Sequence, residues 1–172
     1  MSGYAEKTKV SVAASKAEIE ATLNRFGIRD VAYGTMGGLA SVMLQHNGRP
    51  YTIRLEMPHP EAHEFHHCRA NQYGTEKRRD DQAAYAAWEQ ACRVKWRELA
   101  LLIKAKLVAI SNDAVAFEDE FLAYAMLPDR STVGEWAAEQ LEGIVKAGRM
   151  PELLPGVQAA LSTGDLKRTG AG

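Results

Sequence analysis

DDQAAYAAWEQACRVKWRELALLIKAKLVAIS, residues 80 to 111, is the stretch on which the fold turns. It holds neither proline nor glycine, opens on two aspartates and carries Lys104 and Lys106 near its end, which complements the dipole of a single helix of about 30 residues. At 100° per residue, Tyr85, Trp88, Cys92, Trp96, Leu99, Ile103 and Ile110 form one broad apolar stripe, and Val94, Leu101 and Val108 a second, narrower one. Two stripes predict a central helix with a sheet on one side and later helices on the other. A solvent-facing remainder of the second stripe would favour a homodimer. Arg93, Arg97 and Lys104 line up between the stripes, facing solvent or a partner.

Upstream, TKVSV alternates in a strand-like way, and Ser15 with Glu18 three residues later reads as a capping box opening SKAEIEATLNRFG. Ile19, Leu23 and Phe26 share one face of that helix, and Gly27 stops it. Three strands are then expected, DVAYGTM, LASVMLQ and YTIRLEM, joined by Gly37-Gly38 and by His46-Asn47-Gly48-Arg49-Pro50. Connections this short predict an antiparallel meander with one apolar face against the first helix.

Downstream, AFEDEFLAYAML reads as a shorter helix with Phe117, Phe121, Tyr124 and Leu127 inward, ended by Pro128-Asp129. Thr132 and Glu135 form another capping box before TVGEWAAEQLEGIVKAG, with Trp136, Leu141, Ile144 and Val145 as expected core. The expected class is therefore α+β. A small antiparallel sheet of three to four strands lies with one N-terminal helix, and a helical C-terminal half is built on the long central helix. One domain over residues 1–155 is expected, with 156–172 a flexible, Gly-rich tail.

With 172 residues, 46% apolar and 25% charged, the chain can bury a real core unaided. A formal charge of −1 gives no global pull toward polyanions, so nucleic-acid binding needs a local basic patch. Cys68 and Cys92 suit free thiols in a reducing compartment. No apolar run approaches the roughly 18 residues of a membrane span. A cytoplasmic protein with no membrane partner is expected.

The sharpest chemical motif is HEFHH, residues 63–67, which fits H-E-x-x-H. In a zinc hydrolase His63 and His67 would bind the metal from one helix face while Glu64 polarised the attacking water. Glu89 of the long helix could supply a third ligand. Against this, the longer metzincin continuation fails at Ala70 and Tyr73, the flanks PHPEA and CRANQ are polar, and four of the five histidines crowd into positions 59–67. The competing reading is a long connection, Pro58 to Arg79, with a helical turn or two.

A basic strip is the second candidate: Arg69 and Lys77-Arg78-Arg79 before the long helix, then Arg93, Arg97 and Lys104 along it, for nucleic-acid phosphates or another partner. The order helix, three antiparallel strands, helix, with a basic cluster opening the second helix, resembles the double-stranded RNA-binding domain in element order alone. GTMGG at 34–38 joins two strands rather than opening a helix, which removes a dinucleotide-binding loop.

YAEKTKVSVAASKAEIEATLNRFG (4–27), WEQACRVKWRELALLIKAKLVAI (88–110) and FEDEFLAYAMLPDRSTVGEWAAEQLEGIVKAGRMPELLPG (117–156) resemble a group of small uncharacterised proteins encoded by bacteriophages, prophages and other mobile elements. The similarity spans most of residues 4–155. It is most specific in W-x-x-L-A-L-x-I-K-A-K-L (96–107) and F-L-A-Y-x-x-L-P-D-x-x-T-V-G (121–134). The resemblance brings no activity or catalytic residue. It implies a non-enzymatic binding protein acting on nucleic acid, or on a host nucleic-acid-processing or defence complex. The alternative is the small zinc-dependent hydrolase, with zinc its one cofactor.

Overall fold

The computed structural model describes Ala5 and residues 7–69 and 74–148, leaving aside the Ala147 side chain. The chain divides into two compact units, Met1–Gly134 and Glu135–Gly172. The first is α+β: helix α1 (Val12–Arg25), a three-stranded antiparallel sheet β1 (Val31–Met36), β2 (Leu39–His46) and β3 (Arg49–Glu56), a one-turn helix α2 (His63–His66), a hairpin β4 (His67–Arg69) and β5 (Glu76–Arg78), the long helix α3 (Asp81–Ser111), and α4 (Phe117–Phe121) with a 3-10 turn Leu122–Tyr124. Helix α5 (Val133–Ala147) begins at the end of this unit and runs into the second.

The expected strand at TKVSV is absent, and α1 starts earlier than its capping-box signature implies. Ser11 is the N-cap, its Oγ accepting the Ala14 N–H at 3.1 Å. Ser15 therefore lies one turn inside the helix, buried in line with Ile19 and Leu23, and Glu18 is released from capping for another role. The C-terminus is a Schellman closure: Gly27, at φ +78°, lets its N–H reach the Asn24 carbonyl and brings the Ile28 N–H to Leu23.

Both sheet connections are two-residue turns with both central residues at positive φ, Gly37-Gly38 and Asn47-Gly48, the geometry that matches strand twist. In this register Ala40, Val42, Leu44, Tyr51 and Ile53 are buried on one face with Ile19 and Leu23 of α1, Trp96, Leu99, Ala100, Ile103 and Leu107 of α3, and Phe117 and Phe121. Met36, Leu39 and Met43 stay exposed, Met36 at 84%.

Helix α3 is capped by Asp80, whose carboxylate accepts the Ala83 N–H at 2.7 Å. Its first stripe is buried from Cys92 to Ile103, whereas Tyr85 is exposed and Trp88 and Ile110 are half-buried. The second stripe was expected to meet later helices. Instead the N-terminal segment lies there: Ala5 is buried, the Thr8 carbonyl accepts from Gln90 Nε2, and Ala5, Lys7 and Thr8 share a cleft with Arg97 and Leu101. Val108 remains exposed.

AFEDEFLAYAML is not one helix. After Phe121 the chain tightens to 3-10 and turns extended, so that Ala125 bridges Tyr51 and the Met126 N–H reaches the Pro50 carbonyl. Pro128 disfavours a helical Leu127, which leaves Tyr124 and Leu127 half-buried. Lys106 ties α3 to α4 through the Glu120 carboxylate at 2.6 Å. In α5 the expected core residues Trp136, Leu141 and Val145 are exposed and Ile144 is half-buried. The expected flexible tail, 156–172, lies outside the described residues. No helix among the described residues is long and apolar enough to cross a membrane.

Candidate functional site

The segment expected to be a long connection folds into α2 and a small hairpin, and one arginine joins them. Helix α2 ends after His66 because His67 turns extended (φ −128°, ψ 148°) and pairs with Arg78 across the β4–β5 ladder. The carbonyls left open at the end of a one-turn helix need donors. Arg79 supplies them: its N–H reaches the His66 carbonyl, and Nη1 lies 2.8–2.9 Å from the Glu64, Phe65 and His67 carbonyls. Phe65 is buried beneath, and Trp88 Nε1 of α3 holds the Pro58 carbonyl at 2.8 Å.

This geometry does not fit the zinc reading. H-E-x-x-H needs both histidines on one helix face, with in-plane lone pairs converging on one ion. His67 is outside the helix. Its ring stacks on that of His63, with centroids 4.0 Å apart and planes 12° from parallel, so the in-plane lone pairs run side by side instead of converging. His63 Nε2 lies 3.6 Å from Glu76, and His66 Nε2 sits 3.7 Å from Glu61 and 3.2 Å from the Pro60 carbonyl. Glu64 lines a different cleft, with Gly37, Gly38, His59 and Lys95, while His63, His66, His67, Glu61 and Arg78 line the histidine cleft. Among the described residues no three His, Cys, Asp or Glu side chains gather closely enough to hold a metal, with Glu89 or otherwise.

The basic strip separates into two parts. On α3, Arg93 is bound by Glu89 at 3.0 Å and by Gln90 Oε1, and Arg97 and Lys104 both turn to Glu18 of α1. That row forms an intramolecular charge network, with Arg93 and Arg97 half-buried and Lys104 exposed. Arg79 is likewise committed to the α2 carbonyls. Arg69, Lys77 and Arg78 differ: they are exposed on the hairpin and make no ion pair among the described residues. The ladder pairs His67 with Arg78, Cys68 with Lys77 and Arg69 with Glu76. Side chains alternate along a strand, so Arg69 and Arg78 share one face with His67 and Glu76, and Lys77 projects from the other.

Each group with shifted titration lies beside its own structural cause. The Arg97 hydrogen bond holds Glu18 below the usual carboxylate range. Burial, with the charge of Glu20, pushes Tyr33 up to about 12; its hydroxyl donates to the Lys16 carbonyl, and the Lys16 ammonium lies over the Trp96 and Tyr33 rings. Burial also raises the Cys92 thiol, and the Ser131 hydroxyl and N–H lower Asp129. Nothing in the sequence pointed to Tyr33 or to the carbonyl-binding role of Arg79. The chain matches no protein-family model, no curated protein and no solved structure.

Proposed function

We propose that this is a non-enzymatic binding protein of a phage or mobile element, acting in the cytoplasm, that engages nucleic-acid phosphates through the β4–β5 hairpin. One observation carries the reading: Arg69, Lys77 and Arg78 are exposed together on one short hairpin and form no ion pair among the described residues, unlike Arg93, Arg97 and Lys104 of α3. Cations already neutralised within the fold gain little from a phosphate, whereas free ones release condensed counterions on binding. Two arginines on one hairpin face can each fork onto phosphate oxygens, with the lysine as a point charge beside them. Such contacts position a protein on a nucleic acid without reading its sequence. The two free thiols agree with a reducing compartment.

Mobility-shift titrations against double- and single-stranded DNA and RNA test this reading. Binding that weakens with salt and falls in Arg69→Ala/Lys77→Ala/Arg78→Ala supports it; absence of binding to all four overturns it.

A second reading, docking on a host nucleic-acid-processing or defence complex, is favoured by a different observation. Met36, Leu39 and Met43 make an exposed apolar face on the sheet, rimmed by Gln45, Arg54 and Glu56. Methionine-bearing surfaces of this kind adapt to protein partners. A host protein recovered with wild type but not with Met36→Lys/Met43→Lys would favour this reading over the first.

A further inference from the structure

The two edges of the three-stranded sheet are built differently. Strand β3 carries Arg49, Pro50, Arg54 and Glu56, and the chain covers part of it through the Tyr51–Ala125 bridge and the Met126 N–H to the Pro50 carbonyl. Charges, proline and a covering segment are the usual guards of a strand edge. Strand β1, VAYGTM, is the opposite edge and has neither a charge nor a proline along its six residues.

Its hydrogen-bonding phase follows from the register. The Gln45 N–H reaches the Asp30 carbonyl, and Val31 to Met36 pair with Leu44 to Leu39. In an antiparallel ladder the bonded pairs alternate. Ala32, Gly34 and Met36 therefore spend their backbone groups on β2, and Val31, Tyr33 and Thr35 aim theirs at the open edge. Among the described residues no backbone group takes them up.

We propose that this edge pairs with β1 of a second copy, antiparallel about a two-fold axis at Tyr33. The alignment places Tyr33 opposite itself and Val31 opposite Thr35 of the other copy, so all three open residues on each side form bonded pairs. It also matches side chains. The β-branched Val31 and Thr35 meet on the core side, a favourable cross-strand pair, and small Ala32 meets Gly34 on the outer side. No like charges meet within the strand, and the three-stranded sheet becomes six-stranded with its outer methionine face continuous across the seam. A closed two-fold pairing uses one surface twice and leaves no further edge of this kind.

Sedimentation equilibrium on the full chain over a concentration series, together with amide exchange, tests the pairing. Wild type is expected to approach twice the chain mass. The Val31, Tyr33 and Thr35 amides are expected to slow as concentration rises, while those of Ala32, Gly34 and Met36 are protected throughout. Thr35→Pro removes an outward N–H without costing a β2 bond, and Ala32→Lys sets a charge at the seam. Each is expected to weaken association about tenfold or more, with an unchanged circular dichroism spectrum. A protein monomeric at every concentration overturns the proposal. So does a dimer whose Val31, Tyr33 and Thr35 amides exchange at concentration-independent rates. If Thr35→Pro disturbs the fold, Ala32→Lys and the wild-type amide pattern decide.

Discussion

The carboxylate of Glu18 on α1 accepts a hydrogen bond from Arg97 Nη1 of α3, and the two residues stand 79 positions apart in the chain. Lys104 adds a second cation 3.6 Å from the same carboxylate. A residue placed by its spacing in a capping box thus joins the first helix to the long one. A single acid also contacts two of the cations expected to face a partner.

The consequence for stability has a definite sign. The Arg97 hydrogen bond is the main reason the folded pKa of Glu18 is lowered, partly opposed by desolvation. Its stabilisation is therefore present above the unfolded value of about 4.3 and is lost as pH falls through the folded value. Glu18→Gln should cost about 1 kcal/mol at neutral pH and flatten the acid limb of the stability curve, measured by urea denaturation across pH.

Tyr33 acts at the alkaline end. Its folded pKa of about 12 stands above the unfolded value of about 10, so its contribution is full below pH 10 and is lost as pH rises toward 12. Ultraviolet titration should show a late phase from Tyr33. Tyr33→Phe should remove that late phase, cost about 1 kcal/mol through the lost bond to the Lys16 carbonyl, and shrink the stability loss between those pH values.

Arg79 should behave as a structural residue. Arg79→Ala leaves the Glu64, Phe65 and His67 carbonyls without their donor, at a cost of about 2 kcal/mol. Amide exchange should accelerate in α2, β4 and β5 far more than in the middle of α3. Any loss of nucleic-acid binding in this variant should track that loosening, since the guanidinium is engaged within the fold.

The two thiols should separate by reactivity. Cys68 is half-exposed on β4, whereas Cys92 is buried on α3 with its pKa raised first by burial and then by Glu89. The thiolate is the nucleophile, so alkylation at neutral pH should label Cys68 first, with Cys92 reacting at a comparable rate only after denaturation.

The elements that were legible in the sequence are those with strong local signals. Asp80 and the apolar repeat of α3 mark a helix through both capping and periodicity, and Gly37-Gly38 and Asn47-Gly48 dictate their turns. Elements settled by distant contacts were not legible. The capping-box spacing marks Ser15, whereas burial of Ser15 in line with Ile19 and Leu23 leaves the cap to Ser11. Strands β4 and β5 are three residues each and β5 is exposed throughout, so no alternation marks them. The candidate site had its residues, but not their grouping, on view in the sequence. Arg69, Lys77 and Arg78 remain as exposed cations, whereas Arg79, Arg97 and Lys104 are claimed by partners distant in the chain and Arg93 by Glu89 and Gln90 one turn back on its own helix. The H-E-x-x-H pattern assumed a helix that the pairing of His67 with Arg78 ends one residue too early.

The hairpin reading is tested most directly by fluorescence anisotropy of a labelled duplex, titrated with protein at several salt concentrations. Wild type is compared with Arg69→Ala/Lys77→Ala/Arg78→Ala and with Arg93→Ala/Lys104→Ala. The hairpin variant is expected to bind more weakly and to lose about one unit of the salt slope per cation that meets a phosphate, while the α3 variant keeps the wild-type slope. Equal slopes for wild type and the hairpin variant, or a slope lost only in the α3 variant, would contradict it.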